Sequence, residues 1–506
     1  MARSCWPNKL SLIVAALALL LPACGTRLPD SAFQGSGQNA DRTGQQALAG
    51  ATGDESSQST NEAGAAGTGG VAANGATTAA GAAGTGGGAG NASATGGAGG
   101  ANTSSDVGVT PTSIRIGNIT SVMGFQGPDV LSPSLYGLDS YIQALNARGG
   151  INGRKIDFHT CDDSDTGDGN IACAKQLVEQ QKIFVFLANN SAASARSAAY
   201  TAGKGVPDLG LPLNNGYYKY PTMFSFYGND GYARDGQDVG SGGKLWQQTG
   251  QYRWFKQQRH IDKAAAFFYT IAVSQQAGYA QEADMAAEGI QLVYEGGGSH
   301  QGENFATPTF DTDVVNMKQR GVQGIWDAID SPGNQKLCAA MDRQSFQVTA
   351  KVSTIEAWGQ AVSEYSSPCR NSVYSDGTTE PYSDTGNPLV AQFRSDFARY
   401  EPGRPLHEWN LEGWAMGYEF TKAAQSMGAN LTRAGFVKWM DNLNNDTIDG
   451  LTWPHDYRPK DYTAPFHHCF SIAQWQDSAA TFVNEAPVST CYDAKWVSYT
   501  PTDDGS

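Results

Sequence analysis

Three stretches of the chain place chemically active side chains at close spacing. Asp162-Asp-Ser-Asp-Thr-Gly-Asp168 is dense enough in carboxylates to suggest calcium, but the glutamate that closes such a loop twelve positions after its start is missing. A solvated loop flanked by cysteines accounts for it better. His467-His-Cys469 offers zinc ligands, but lacks a second spaced pair and would require Cys491 to stay free. Asn189-Asn-Ser-Ala-Ala-Ser194 combines short hydroxyls with the amides of an expected helix start, a set suited to a carboxylate. The motifs of common enzymes are missing: no Gly-x-Ser-x-Gly elbow, no His-Glu-x-x-His, no Gly-x-Gly-x-x-Gly opening a first βα turn, and no phosphate-loop Gly-Lys-Ser/Thr. The seven histidines have no partnered nucleophile. The residues point to binding rather than catalysis, with no metal and no cofactor.

The elements that must position these residues alternate. Ile114, Ile116 and Ile119 read as a strand; Leu135, Leu138, Ile142 and Leu145 recur at helical spacing until Gly149-Gly150. Lys155 to Phe158 is a second strand, Asn170 to Gln180 a helix, and Ile183 to Leu187 an all-apolar strand suited to the middle of a parallel sheet. The pattern restarts after Arg259 with strands 264–268, 290–294, 324–329 and 348–353 and helices 276–288, 312–320 and 333–343. Three helical segments follow, at 389–400, 408–427 and 432–442, with no comparable strand between them. Alternation of this kind predicts doubly wound α/β sheets, and roughly 400 residues exceed one core, so two lobes are expected. In such sheets a ligand lies outside the carboxyl ends of the strands. The loops to search are therefore those after Ile119, Leu187 and Gly210, and those holding Tyr269, Asp330 and Glu356.

Arg3 and Lys9 precede an apolar run from Leu10 to Leu21, a secretory signal over residues 1–23 that is too short to span a membrane as a helix. Leu21-Pro-Ala-Cys24-Gly25 is similar to a bacterial lipobox, which makes Cys24 a lipid anchor on the extracytoplasmic face of the cell membrane. Residues 24–105 are Gly, Ala, Ser, Thr and Asn, unable to bury enough surface to order, and read as a tether reaching about 50 Å. A net charge of −15 excludes nucleic acid as a partner. Six cysteines remain after Cys5 and Cys24, and proximity pairs Cys161 with Cys173, Cys338 with Cys369, and Cys469 with Cys491.

Gly137-Leu-Asp-Ser-Tyr-Ile-Gln-Ala-Leu-Asn-Ala-Arg-Gly-Gly-Ile-Asn-Gly-Arg-Lys-Ile156 joins a helix, a double-glycine stop and a new strand. It resembles the first helix-turn of the branched-chain amino-acid binding protein family, solute receptors of ABC importers, and the resemblance runs from about Val109 to the C-terminus. It implies the type I periplasmic-binding-protein fold, two parallel-sheet lobes joined by three hinge crossings near 253–262, 374–384 and 450–454. The lobes would be 106–257 plus 383–450 and 258–382 plus 451–506. The resemblance implies Ser191 or Ser194 as carboxylate ligand and Glu356 as ammonium ligand. After Gly210 the chain departs from the family: Leu211-Pro-Leu-Asn-Asn-Gly-Tyr-Tyr218 lacks the usual threonine, leaving Asn214 or Asn215 to bond the ligand. Tyr269 joins the set, Phe125 and Trp358 serve as walls, and Tyr217, Trp326 and Trp409 read as packing. The expected ligand is an aliphatic, most simply branched-chain, amino acid or a related amide, and the expected partner an ABC permease. A sensing or scaffolding module of the same fold without a transporter is the second reading. Replacing the anchor tests the lipobox: Cys24→Ala should release the protein from membranes in a fractionation, and retention would contradict that reading.

Overall fold

The computed structural model describes residues 101–124, 127–128, 130–228, 240, 242–458, 466–494 and 496–502. The signal, Cys24 and Phe125 lie outside them. The first lobe opens with β1 (Ser113–Thr120), a small hairpin of β2 (Met123–Gly124) and β3 (Gly127–Pro128), α1 (Pro133–Ala147), β4 (Lys155–Asp162), α2 (Gly167–Lys175), β5 (Val185–Leu187), α3 (Ala195–Gly203), β6 (Asp208–Gly210) and β7 (Met223–Ser225). Its parallel sheet has the order β4-β1-β5-β6-β7. The all-apolar β5 takes the centre, as a strand covered on both faces must.

The second lobe comprises β8 (Leu245–Gln247), α4 (Gly250–Arg259), β9 (Lys263–Phe268), α5 (Ala272–Ala287), β10 (Gln291–Glu295), α6 (Asp311–Arg320), β11 (Gly324–Ala328), α7 (Ser331–Arg343), β12 (Ala350–Ser353), α8 (Ser367–Arg370) and β13 (Val373–Gly377). Then α9 (Pro388–Tyr400), α10 (Glu408–Met427) and α11 (Arg433–Asp441) return to the first sheet, and β14 (Phe466–Gln476), β15 (Thr481–Ala494) and β16 (Val497–Tyr499) close the chain. The hairpin β14–β15 extends the second sheet antiparallel, giving β10-β9-β11-β12-β13-β14-β15. The path passes from first sheet to second, back, and again to the second.

Packing explains the return of the late helices. Glycines open the contact between α1 and α10: a Cβ on Gly137 would sit 1.9 Å from the Asn410 carbonyl oxygen, and one on Gly413 2.0 Å from that of Ser134. Tyr141 then meets Trp414 edge-on at 5.1 Å, and its hydroxyl bonds Thr421. Arg433 on α11 donates to the carbonyls of Ile183 and Phe184 beside the central strand. Arg154, buried at 1% exposure, explains the end of the Gly137–Ile156 phrase: its guanidinium donates to the carbonyls of Thr103, Thr110, Gly428 and Ala429.

Three features differ from the sequence reading. Residues 102–105, assigned by composition to the tether, are tied to the body: Asn102 donates to Asn152, Ser105 to Leu431, and Thr103 accepts from Arg154. The segment 253–262, read as a crossing, is largely the helix α4, and it belongs to the second lobe, with Tyr252 stacked on Trp326 at 5.3 Å and Phe255 edge-on to Tyr374. The acidic loop is not solvated around Asp163, whose carboxylate is 1% exposed and accepts from Ser121, Asn170 and Ser191.

Disulfides join Cys161 to Cys173, Cys338 to Cys369 and Cys469 to Cys491, which removes the thiolates from the zinc reading at His467. Because four carbonyls depend on one guanidinium, Arg154→Met should lower the free energy of unfolding by about 3 kcal/mol or more in urea. An unchanged midpoint would show that water satisfies those carbonyls.

A candidate ligand cavity between the two sheets

The carboxyl ends of both sheets face a cavity of about 350 Å³. Tyr227, just past β7, and Trp409, in the first turn of α10, contribute from the first lobe. Tyr269 after β9, Glu356 after β12 and Asp376 on β13 contribute from the second. Gln248, Gln251, Tyr252 and Gln281 line it from the chain around α4 and from α5, and Trp453 from the third crossing.

Each wall is held by defined bonds. The Tyr227 hydroxyl donates to Glu412 at 2.9 Å and accepts from the Trp409 indole at 3.2 Å. Burial, then the neighbouring Glu408, holds the Glu412 carboxyl well above the usual carboxylate range. The Tyr269 hydroxyl donates to Asp330 at 3.1 Å, and Asp330 also caps α7 by accepting from the Gly333 amide. Glu356 sits on a loop bolted to the other lobe. His407 accepts the Trp409 amide on Nδ1, so its Nε2 carries the proton and donates to the Glu356 carbonyl at 3.2 Å. The Glu408 amide donates to the Trp358 carbonyl, and the Gln360 amide to that of Leu406. Burial lowers the His407 pKa to about 4, so the imidazole is neutral near pH 7.

Glu356 and Asp376 dominate the electrostatics. Burial, then Asp330, Asp165 and Asp327, pushes Glu356 up to about 8; burial, then Asp327, pushes Asp376 up to about 8. Beneath them Lys351 and Asp327, both fully buried, form an ion pair at 2.6 Å, and Ser353 donates to the same carboxylate oxygen.

The structure brings two of the anticipated residues, Tyr269 and Glu356, to the cavity wall. Ser191, Ser194, Asn214, Asn215 and Trp358 lie outside its lining, each engaged elsewhere. Ser191 donates to Asp163 at 2.5 Å, Asn214 donates to Ser194 at 2.5 Å, and Asn215 reaches the Thr502 carbonyl. Trp358 donates its indole N–H to the Ser353 carbonyl at 2.6 Å, and its own carbonyl accepts from the Glu408 amide of the other lobe. Trp409, read as packing, is a wall. Asp376 was missed because it lies in a strand within a stretch read as a crossing, and Tyr227 because the strand before it has only three residues, too short for a visible period.

Residues 113–480 match the model of a family described as periplasmic binding protein. The chain belongs to that family. With two parallel-sheet lobes and a chain that crosses between them three times, it has the type I form of the fold. No curated protein sequence matches it. Among solved structures it is similar to a leucine-binding protein from Thermotoga maritima, with a TM-score of 0.56 and 11% identity over 74% of this chain and 98% of that one. It is similar to a fatty acid ABC transporter substrate-binding protein from Thermomonospora curvata, at 0.57 and 14% over 77% and 94%. A third is a solute-binding protein of an ABC transporter from Rhodopseudomonas palustris in complex with 3,4-dihydroxybenzoic acid, at 0.55 and 12% over 78% and 98%.

Because burial opposes ionisation of Glu356 and Asp376, the folded protein retains protons that the unfolded chain releases. The stability this confers is complete below the ordinary carboxylate pKa and is lost as pH rises through about 8. The melting temperature of ligand-free protein should therefore fall as pH is raised from about 6 to about 9, and less steeply in Glu356→Gln. The same slope in the variant would mean that Glu356 is ionised and solvated throughout.

Proposed function

We propose that this protein is the extracytoplasmic substrate-binding component of an ABC importer, anchored to the membrane through Cys24, that captures a small polar solute between its lobes and presents the closed form to a permease. The observation that carries this reading is the origin of the walls: Tyr227 and Trp409 come from one lobe, Tyr269 and Glu356 from the other. A solute touching all four stabilises only the arrangement in which the lobes are together, which is how a ligand selects a conformation. The likeness to ABC transporter binding proteins for leucine, fatty acid and dihydroxybenzoate supports the transport role. Because those ligands differ so widely, the ligand of this chain has to be read from its own cavity.

The test is thermal unfolding of the full chain against amino acids, amides, amines and small aromatic acids. A solute at about 1,000 times its dissociation constant adds about 4 kcal/mol of stability, a clear shift in midpoint. Trp409→Ala and Tyr269→Ala, one from each lobe, should each reduce that shift. A shift that survives both would place the solute outside the cavity.

A further inference from the structure

We propose that the cavity selects an organic cation, an amine or quaternary ammonium solute, and rejects free carboxylic acids. This rests on the solute-binding reading above and narrows it to a substrate class.

The charges of the lining have one sign. Asp284, Asp330, Glu356 and Asp376 contribute to it, and among the described residues neither lysine nor arginine does. Asp330 is satisfied by Tyr269 and by its own helix cap. Glu356 and Asp376 form no ion pair among the described residues. The buried ammonium of Lys351, on the strand whose Val352 and Ser353 line the cavity, is already bound to Asp327. Among the described residues a carboxylate ligand would meet Glu356 and Asp376 and no countercharge.

The place where a carboxylate was expected to bind is also filled. Ser191 and Ser121 both donate to Asp163, so the protein's own carboxylate takes the hydroxyls that a ligand carboxylate would need. The remaining pair, Ser194 and Asn214, bond each other.

An independent observation points to a guest that carries a hydrogen-bond donor, as a protonated amine or the hydroxyl of choline does. Gln281 is only 9% exposed, and its amide nitrogen donates to the Asp327 carbonyl at 3.3 Å, which fixes the orientation of the amide. Its Oε1 is buried in the cavity lining with no donor, and a buried acceptor left unpaired is costly. Aromatic side chains complete the environment: Tyr227, Tyr252, Tyr269, Trp409 and Trp453 line the same space, and an alkylammonium is attracted to the negative face of such a ring. Burial opposes the charge on Glu356 and Asp376; a cation placed against them restores it.

The experiment is isothermal titration of the full chain at pH 8 with choline, benzyltrimethylammonium and 1,4-diaminobutane, beside choline's uncharged isostere 3,3-dimethylbutan-1-ol, and beside leucine and benzoate. At least one cation is expected to bind, with choline favoured over its isostere. The double variant Glu356→Gln, Asp376→Asn should weaken that cation by about 30-fold or more, while circular dichroism shows it folded. Binding of every cation no tighter than the uncharged isostere, or cation affinity unchanged in the double variant, overturns the proposal. Binding of leucine or benzoate with no response to any cation overturns the cation class and leaves the receptor reading standing. No heat and no thermal shift with any solute overturns both.

Discussion

The ion pair between Lys351 and Asp327 sets the character of the cavity above it. Both groups are fully buried in neighbouring strands of the second sheet, at 2.6 Å, with Ser353 on the same carboxylate. Such a pair repays its desolvation only if both partners stay matched, so the ammonium is not available to the carboxylates that line the cavity. Among the described residues Glu356 and Asp376 are left without a cation. Their raised pKa values follow from that arrangement, and a guest that brings positive charge is the natural complement.

The first lobe meets this acidic floor with Tyr227 and Trp409, and the helix that carries Trp409 also joins the lobes. The first turn of α10 receives the loop of Glu356 through His407, Glu408 and Gln360, and Glu408 in turn accepts from Thr379 and the Tyr382 amide at the second crossing. Sheet, crossing and ligand wall therefore share one helix terminus. A change of lobe angle must strain or break those bonds, which ties the cavity wall to the hinge.

Much of the fold was legible because long elements repeat one pattern. The apolar run Ile183 to Leu187 and the helical spacing over 408–427 and 333–343 place a core strand and two helices with few alternatives. Helix α4 escaped because Gln, Lys and Arg surround Tyr252, Trp254 and Phe255 and blur its apolar face. The strands at 208–210 and 223–225 are too short to show a period. At the site, the rule that ligands lie beyond the carboxyl ends of strands led to Tyr269 and Glu356. At Ser191 it is silent on the partner, Asp163, which lies 28 residues earlier and is brought to it by the parallel packing of β4, β1 and β5. A local reading sees a hydroxyl at a helix start; only the tertiary fold shows that the protein supplies the acceptor.

The central claim is that a solute is held by both lobes at once, in the cavity between the sheets. A crystal structure of the protein with the solute that most raises its melting temperature tests it most directly. The account predicts the solute's positive group against Glu356 or Asp376 and its body against Tyr227 and Trp409. A solute seated on one lobe alone, or with an anionic group against those carboxylates, would contradict it.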